Sequence, residues 1–424
     1  MKKIIENWNR RDKIIGDVHP FFDSQKKQWM LFYLATDGKF SSRLALSKNM
    51  IDFVEMPLKF SGMPRAPYFV VAPLKHKKFF YTWFGQQYTH VCSKSRDGIK
   101  WWPMLSLDVS VNREVSLRGE RDPYVVYDEI NHCFYLVALS YPNESNDCQI
   151  ILRRSSGDSL LNWSSETKSI VKFFNGLTWS DGEPECPQLC KIGHRWYLFT
   201  SLARKTTHHV GGMSYWIGDI DKNPLDIDWG ALPRYELTSE DLCAAQVAQK
   251  GKQTFLFGWV PQEAHGSLWG GILNFPLLVK ADKAGKLSTK FAYGMNDYRF
   301  ALSSIENIDS HTMKKLTAKF VISGERTTLS FCNGKQDDQH IIIDRFNCRI
   351  FVASTPLHKE HASIHLNKRD FTKRMNLTAI FYDDVAEINI NRRYTLHAKL
   401  GRALDGDKIT TSSDVDIILE SAVA

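Results

Sequence analysis

An all-β fold, a five-bladed β-propeller followed by a C-terminal β-sandwich, is what this sequence predicts. Three observations carry that reading. An aromatic-rich strand pattern recurs five times before Asn296, long amphipathic helical windows are missing throughout, and after Asn296 the pattern changes to alternating strands split by polar turns.

The repeated strands are Trp29-Met30-Leu31-Phe32-Tyr33, Phe79-Phe80-Tyr81-Thr82-Trp83, Cys133-Phe134-Tyr135-Leu136-Val137, Trp196-Tyr197-Leu198-Phe199-Thr200 and Thr254-Phe255-Leu256-Phe257-Gly258, spaced by 50, 54, 63 and 58 residues. A leading apolar strand and a turn precede each copy. These leaders are Pro20-Phe21-Phe22, Pro67-Tyr68-Phe69-Val70-Val71, Pro123-Tyr124-Val125-Val126, Pro187-Gln188-Leu189 and Ala244-Ala245-Gln246-Val247. Several copies continue into a Ser/Asp/Gly turn that ends in Trp, as in Ser95-Arg96-Asp97-Gly98-Ile99-Lys100-Trp101. A period of this size with several short strands per unit marks propeller blades. The expected division is therefore residues 1–293 for the propeller and 294–424 for the sandwich, whose strands include Ala318–Ile322, His340–Asp344, Arg349–Ala353 and Thr378–Tyr382.

With 424 residues, 43% of them hydrophobic, the chain can build two or three domains with real cores. No window reaches the roughly 18 apolar residues of a membrane span, and Glu6-Asn7 and Asn9-Arg10-Arg11 interrupt any signal-peptide core after Met1. A cytoplasmic protein with no membrane partner is expected. The eight cysteines form neither a zinc spacing nor a disulfide framework, which predicts reduced core thiols, no metal and no cofactor. The net charge of +8 includes short basic runs such as Lys75-His76-Lys77-Lys78 at expected hairpin tips, which read as solvated turns and not as a nucleic-acid surface. An anionic substrate remains compatible with this balance.

The chemistry concentrates where leading strands begin. In Trp179-Ser180-Asp181-Gly182-Glu183-Pro184-Glu185-Cys186-Pro187-Gln188-Leu189, three carboxylates run directly into an apolar strand. Acids are poor strand formers and are rarely buried without compensation. The same arrangement recurs as Asp17 before Val18-His19-Pro20 and Asp122 before Pro123, the latter behind Arg121, a cation able to keep a carboxylate ionised. In a propeller these strand starts surround one central depression, so Asp17, Asp122 and Glu185 would converge. Two carboxyls flanking a sugar bond are the minimum equipment of glycoside hydrolysis, and a small carbohydrate is the expected partner. On the residues alone, Asp181 and Glu183 compete with Glu185 for the acid role.

The blocks Gly16-Asp17-Val18-His19-Pro20-Phe21, Arg121-Asp122-Pro123, Glu185-Cys186-Pro187, Asp241-Leu242-Cys243-Ala244-Ala245-Gln246 and Trp269-Gly270-Gly271-Ile272-Leu273-Asn274-Phe275-Pro276 resemble, in order, the signature blocks of glycoside hydrolase family 32, the invertase, inulinase and levanase family. The resemblance continues through Leu377–Asn391, which is similar to late strands of that family's C-terminal sandwich. It implies a retaining mechanism on β-fructofuranosides. Asp17 would be the nucleophile, Glu185 the acid/base with a raised pKa, and Asp122 would hydrogen-bond the fructose hydroxyls and stabilise the oxocarbenium-like transition state. His19, Arg121, Asp241, Trp269 and Trp83 would contact substrate. The chain departs from the family at the nucleophile block, where Asn-Asp-Pro-Asn-Gly is usual, at Leu34 in place of a polar residue, and at Cys243 in place of an aromatic, so the fructose subsite is expected to be reshaped. Fructosyl transfer, an inverting arabinanase-like activity on a five-bladed propeller, and sugar binding without cleavage are the alternatives. His358, His361 and His365 read as scattered surface histidines.

Overall fold

The computed structural model describes residues 14–36, 40–50, 52–61, 71–86, 89–104, 115–142, 147–164, 167–173, 183–204, 209–261, 270–292, 300–302, 314–321, 325–334, 337–355, 359–371, 374–382, 384–404, 406–412 and 415–422. Among them there is no α-helix, only short 3-10 turns at Pro224–Asp226, Trp229–Ala231 and Lys368–Asp370. The predicted all-β class therefore holds. No helix among the described residues is long and apolar enough to cross a membrane.

The chain divides into two compact units. The first comprises residues 1–236, 243–273 and 283–286, and the second 237–242, 274–282 and 287–424.

In the first unit the five aromatic segments all lie in strands: Gln28–Thr36, Phe79–Gln86, Cys133–Pro142, Arg195–Arg204 and Gln253–Pro261. Four pair with a leading strand in an antiparallel hairpin: Ile14–Asp23, Val115–Asp128, Glu183–Ile192 and Cys243–Lys250. The second repeat differs. Its expected leader Pro67–Val71 falls almost entirely outside the described residues, and the strand hydrogen-bonded to Phe79–Gln86 is Leu74–His76. The third and fourth repeats form four-stranded sheets, the third continuing through Cys148–Arg154 to Lys168–Phe173 and the fourth through His209–Ile220 to Arg234–Glu236. Strand Gly271–Leu273 pairs with Gln253–Pro261 on one side and, at Ile15, with Ile14–Asp23 on the other. The first and last repeats thus share one sheet.

Apolar side chains of neighbouring repeats fill the space between sheets. Tyr135, Val137 and Leu139 of the third repeat join Leu189, Trp196 and Leu198 of the fourth in one buried cluster. The Ser-Asp-Gly turns fix the strand ends. Asp97 Oδ1 accepts from the amides of Ile99 and Lys100 at 2.8 and 2.9 Å, and the Trp101 indole N–H closes the turn on Gly98 O at 3.0 Å. Gly98 has φ +78°, and a Cβ there would lie 2.4 Å from Met30 Cε, so both conformation and space require glycine. The basic run Lys75-His76-Lys77 is committed locally, Lys75 to Asp23 at 2.7 Å and His76 and Lys77 to Asp158 at 2.9 and 3.0 Å.

The second unit holds two antiparallel sheets. One orders Phe300–Leu302, Val415–Ala422, Lys314–Val321, Arg374–Tyr382, Val385–Ile390 and Tyr394–Lys399; the other orders Lys359–His365, Arg349–Ser354, Gln339–Asp344, Arg326–Cys332 and Lys408–Thr411. Leu316, Leu377 and Ile388 of the first and Leu329, Ile341 and Val352 of the second belong to one apolar cluster. Alternation along Arg326–Cys332, with every second residue buried, is what a half-buried strand dictates.

Candidate active site

Each of the four leading strands carries the same irregularity at the same place. The ladder shifts register between Gly16 and His19, between Arg121 and Tyr124, between Glu185 and Gln188, and between Cys243 and Gln246. Within each bulge one residue adopts a left-handed backbone: Asp17 (φ 47°), Asp122 (φ 52°), Cys186 (φ 51°) and Ala244 (φ 42°). Such a conformation at a non-glycine residue costs on the order of 1–3 kcal/mol and persists only where surroundings impose it. A bulge inserts one residue and re-aims the side chains around it. By register, Asp17, Asp122, Cys186 and Ala244 occupy equivalent positions, and Gly16, Arg121, Glu185 and Cys243 stand one step earlier. The acids are thus not all equivalent, since Glu185 takes the place that Arg121 holds on its own strand.

Among the described residues the leading strands of different repeats form no ladder with one another, and side chains span the gaps. Arg121 Nη2 donates to Glu185 Oε1 at 2.8 Å, and its Nε lies 3.8 Å from Asp122 Oδ2. Asp122 Oδ2 accepts the Cys186 backbone N–H at 3.2 Å. The Glu185 carbonyl receives Thr200 Oγ1 at 2.9 Å. One residue beyond each bulge stand His19, Tyr124, Gln188 and Gln246. The His19 ring is stacked near Tyr124 with centroids 6.4 Å apart. Gln188 exchanges two amide hydrogen bonds with Val247, each 2.8 Å, and Gln246 Nε2 donates to Cys186 O at 2.8 Å.

Asp17 is half-buried among these groups. Burial first, then the Glu185 and Asp122 carboxylates, push its pKa up from 3.8 to about 8, against the opposing pull of Arg121 and a hydrogen bond from Trp259. Three carboxyls facing one guanidinium carry excess negative charge, which a retained proton relieves. Asp17, the group that the resemblance casts as nucleophile, is thus itself raised in the free site. Burial and the three surrounding carboxylates hold the Cys186 thiol well above its ordinary range, so it is no competing nucleophile. All eight cysteines are free thiols.

His19 is buried, its pKa pushed down to about 3 by burial alone, so it is a neutral imidazole. It opens the lining of a cavity of about 810 Å³ that runs past Tyr124, Gln188 and Gln246 along the leading strands. Asp17, Asp122 and Glu185 do not line that cavity, which lies on the C-terminal side of the bulges.

Trp83 is 2% exposed and packs with Cys92, Val125 and Phe134 in an apolar cluster, edge-on to Trp163. Asp241 belongs to the second unit, where its Oδ2 accepts the Lys399 N–H at 3.4 Å. Trp269 and Asp181 lie outside the described residues, as does the Glu183 side chain. Glu120, 2% exposed beside Arg121, was given no role in the sequence reading.

Carboxyls gathered from separate strands of an all-β fold, around one guanidinium, are equipment that glycoside hydrolysis can use. The model of the glycosyl hydrolases family 32 N-terminal domain matches residues 67–289, and the chain belongs to that family of glycosidases. No curated protein matches the sequence. Similar solved structures include a family 32 β-fructofuranosidase of Bombyx mori, with 16% identity, TM-score 0.74, and coverage of 98% of this chain and 95% of that one. The sucrose-6-phosphate hydrolase of Lactobacillus gasseri aligns with 13% identity, TM-score 0.71, and 98% and 94% coverage. Fructan 1-exohydrolase IIa of Cichorium intybus, in complex with 1-kestose, aligns with 11% identity, TM-score 0.65, and 96% and 95% coverage. At these identities the likeness is one of fold, and it spans both units.

Proposed function

We propose that this glycosidase cleaves β-fructofuranosides, sucrose or short fructo-oligosaccharides, with retention and through a fructosyl-enzyme intermediate. The observation that carries the reading is the electrostatic coupling of Asp17 to Glu185 and Asp122 at equivalent strand bulges in a family 32 chain. In its fold the reading takes residues 1–293 as a five-bladed propeller and 294–424 as a β-sandwich, supported by the repeated hairpins and by the two sheets of the second unit.

A carboxylate oxygen of Asp17 attacks the anomeric carbon of fructose as the bond to the leaving oxygen breaks. Glu185 gives its proton to that oxygen, then takes one from the water that releases fructose. The retained proton of the free site must therefore stand on Glu185 when bond breaking begins, leaving Asp17 ionised. Asp122, fixed by the Cys186 N–H, accepts hydrogen bonds from fructose hydroxyls and stabilises the positive charge that grows on the ring. The similar structures, a β-fructofuranosidase, a sucrose-6-phosphate hydrolase and an exohydrolase holding 1-kestose, support a short fructoside, free or phosphorylated.

One observation favours a second reading. A pKa near 8 suits Asp17 as a general base that activates water, which is the inverting mechanism. Substrate class is tested by incubation with sucrose, kestose, inulin, levan and arabinan and chromatography of the products. Fructose release or fructosyl adducts support the proposal; arabinose from arabinan, or no product at all, overturns it.

A further inference from the structure

Glu120 stands immediately before Arg121 and Asp122 on strand Val115–Asp128, buried to 2% exposure. A carboxylate at that depth needs compensation, and it receives three charged or polar donors. Arg153 forks onto it, Nη1 to Oε2 at 2.9 Å and Nη2 to Oε1 at 2.7 Å, and His90 Nε2 lies 2.8 Å from Oε2. Arg153 places its remaining Nε on Thr167 Oγ1 at 2.7 Å. Burial pushes the Glu120 carboxyl up, but the His90 hydrogen bond and the Arg153 charge outweigh it and hold the group below its ordinary value.

Such a buried ion cluster is weak as a stabiliser, since well-packed apolar residues of similar volume often do as well. Its position suggests another use. The register of Val115–Asp128 against Cys133–Pro142 shifts twice, between Val115 and Glu120 and again between Arg121 and Tyr124. Between these shifts only Glu120 opposite Ser140 and Arg121 opposite Leu139 are in register. A slip of one residue there would turn both side chains to the other face. Glu120 is tied to residues 30 and 33 positions away in the chain, one on strand Thr89–Ser95 and one on Cys148–Arg154.

We propose that Glu120, Arg153 and His90 form a positioning cluster for the carboxyl site. It pins the two-residue island so that Arg121 stays 2.8 Å from Glu185 and Asp122 meets the Cys186 N–H. All three side chains are too deep to touch substrate. The inference rests on the proposed reading of Asp17, Asp122 and Glu185 as the reacting groups.

The test is the double variant Glu120→Leu/Arg153→Met, which removes both charges and keeps His90, assayed on sucrose beside the parent and Asp17→Asn. The variant should melt within a few degrees of the parent yet lose kcat roughly a hundredfold, the scale of an about 1 Å misplacement, with KM little changed. The acid limb of its kcat profile should move to higher pH, because Arg121 lowers the Asp17 pKa only while held in place. A folded double variant with parental kcat and pH profile overturns the positioning role. If Asp17→Asn itself keeps activity, the reading of the site has failed instead. Should the double variant not fold, Glu120→Asp decides, since it keeps the charge and shortens the arm. Lowered kcat at unchanged KM supports the proposal, and parental kcat refutes it.

Discussion

The bulge at Arg121-Asp122-Pro123 and the bulge at Cys243-Ala244-Ala245 have the same register shift and nearly the same left-handed backbone, φ 52° at Asp122 and 42° at Ala244. The first presents a carboxylate and a guanidinium to the site. The second presents a thiol and a methyl group, which pack against Cys186 and Trp259. The strained turn is therefore part of the architecture of a leading strand whether or not chemistry uses it. Function is written onto a repeated backbone device by choice of side chain, and the acid-free copy shows what the device looks like unloaded.

The largest effect that separates loaded from unloaded bulges is loss of the acids themselves. Asp17→Asn or Glu185→Gln should lower kcat by roughly a thousandfold or more, while changing folding cooperativity little. Activity near the parental level in either variant would reduce that bulge to the status of the Ala244 one. Asp122→Asn should cost less, on the order of a hundredfold, because its carbonyl can still accept the Cys186 N–H while the charge that faces the growing cation is gone. Steady-state kinetics on one substrate ranks the three.

Stability offers a smaller contrast. The Asp17 pKa is raised from 3.8 to about 8, so between those values the folded chain retains a proton that the unfolded chain releases, and stability falls as pH rises through that window. Asp17→Asn should remove this loss. The variant should melt at the parental temperature near pH 4 and above it near pH 8, a difference that calorimetry across the range would show; a gain independent of pH would contradict the raised pKa. Smallest of all, Ala244→Gly relieves the left-handed strain while adding chain entropy to the unfolded state. Those terms oppose each other, so the expected change is within about 1 kcal/mol, with activity intact. The same substitution at Ala248, in regular strand, should cost more.

The repeats were legible because aromatic strands at regular spacing leave a local signature, and the acids were legible because a carboxylate before an apolar strand is out of place. The bulges were not. Left-handed positions normally advertise themselves as glycine or asparagine, yet here they fall on Asp17, Asp122, Cys186 and Ala244. The packing of Trp83 was not legible either, because alternation along an aromatic strand gives two faces without saying which meets solvent. Glu120 carried no signal at all, since its partners His90 and Arg153 lie far along the chain and only the folded sheets bring them together. The raised pKa of Asp17 likewise depends on which charges the fold brings around it, which spacing alone does not fix.

The measurement closest to the central claim is direct capture of the intermediate. The enzyme, turning over a fructoside with an activated leaving group, is quenched in acid, digested and analysed by mass spectrometry, with product anomers followed by NMR in parallel. A fructosyl unit attached to the peptide at Asp17, together with first release of the β anomer, is the result expected of a retaining nucleophile on that bulge. An unlabelled Asp17 peptide with first release of the inverted anomer would contradict the account and make Asp17 a base.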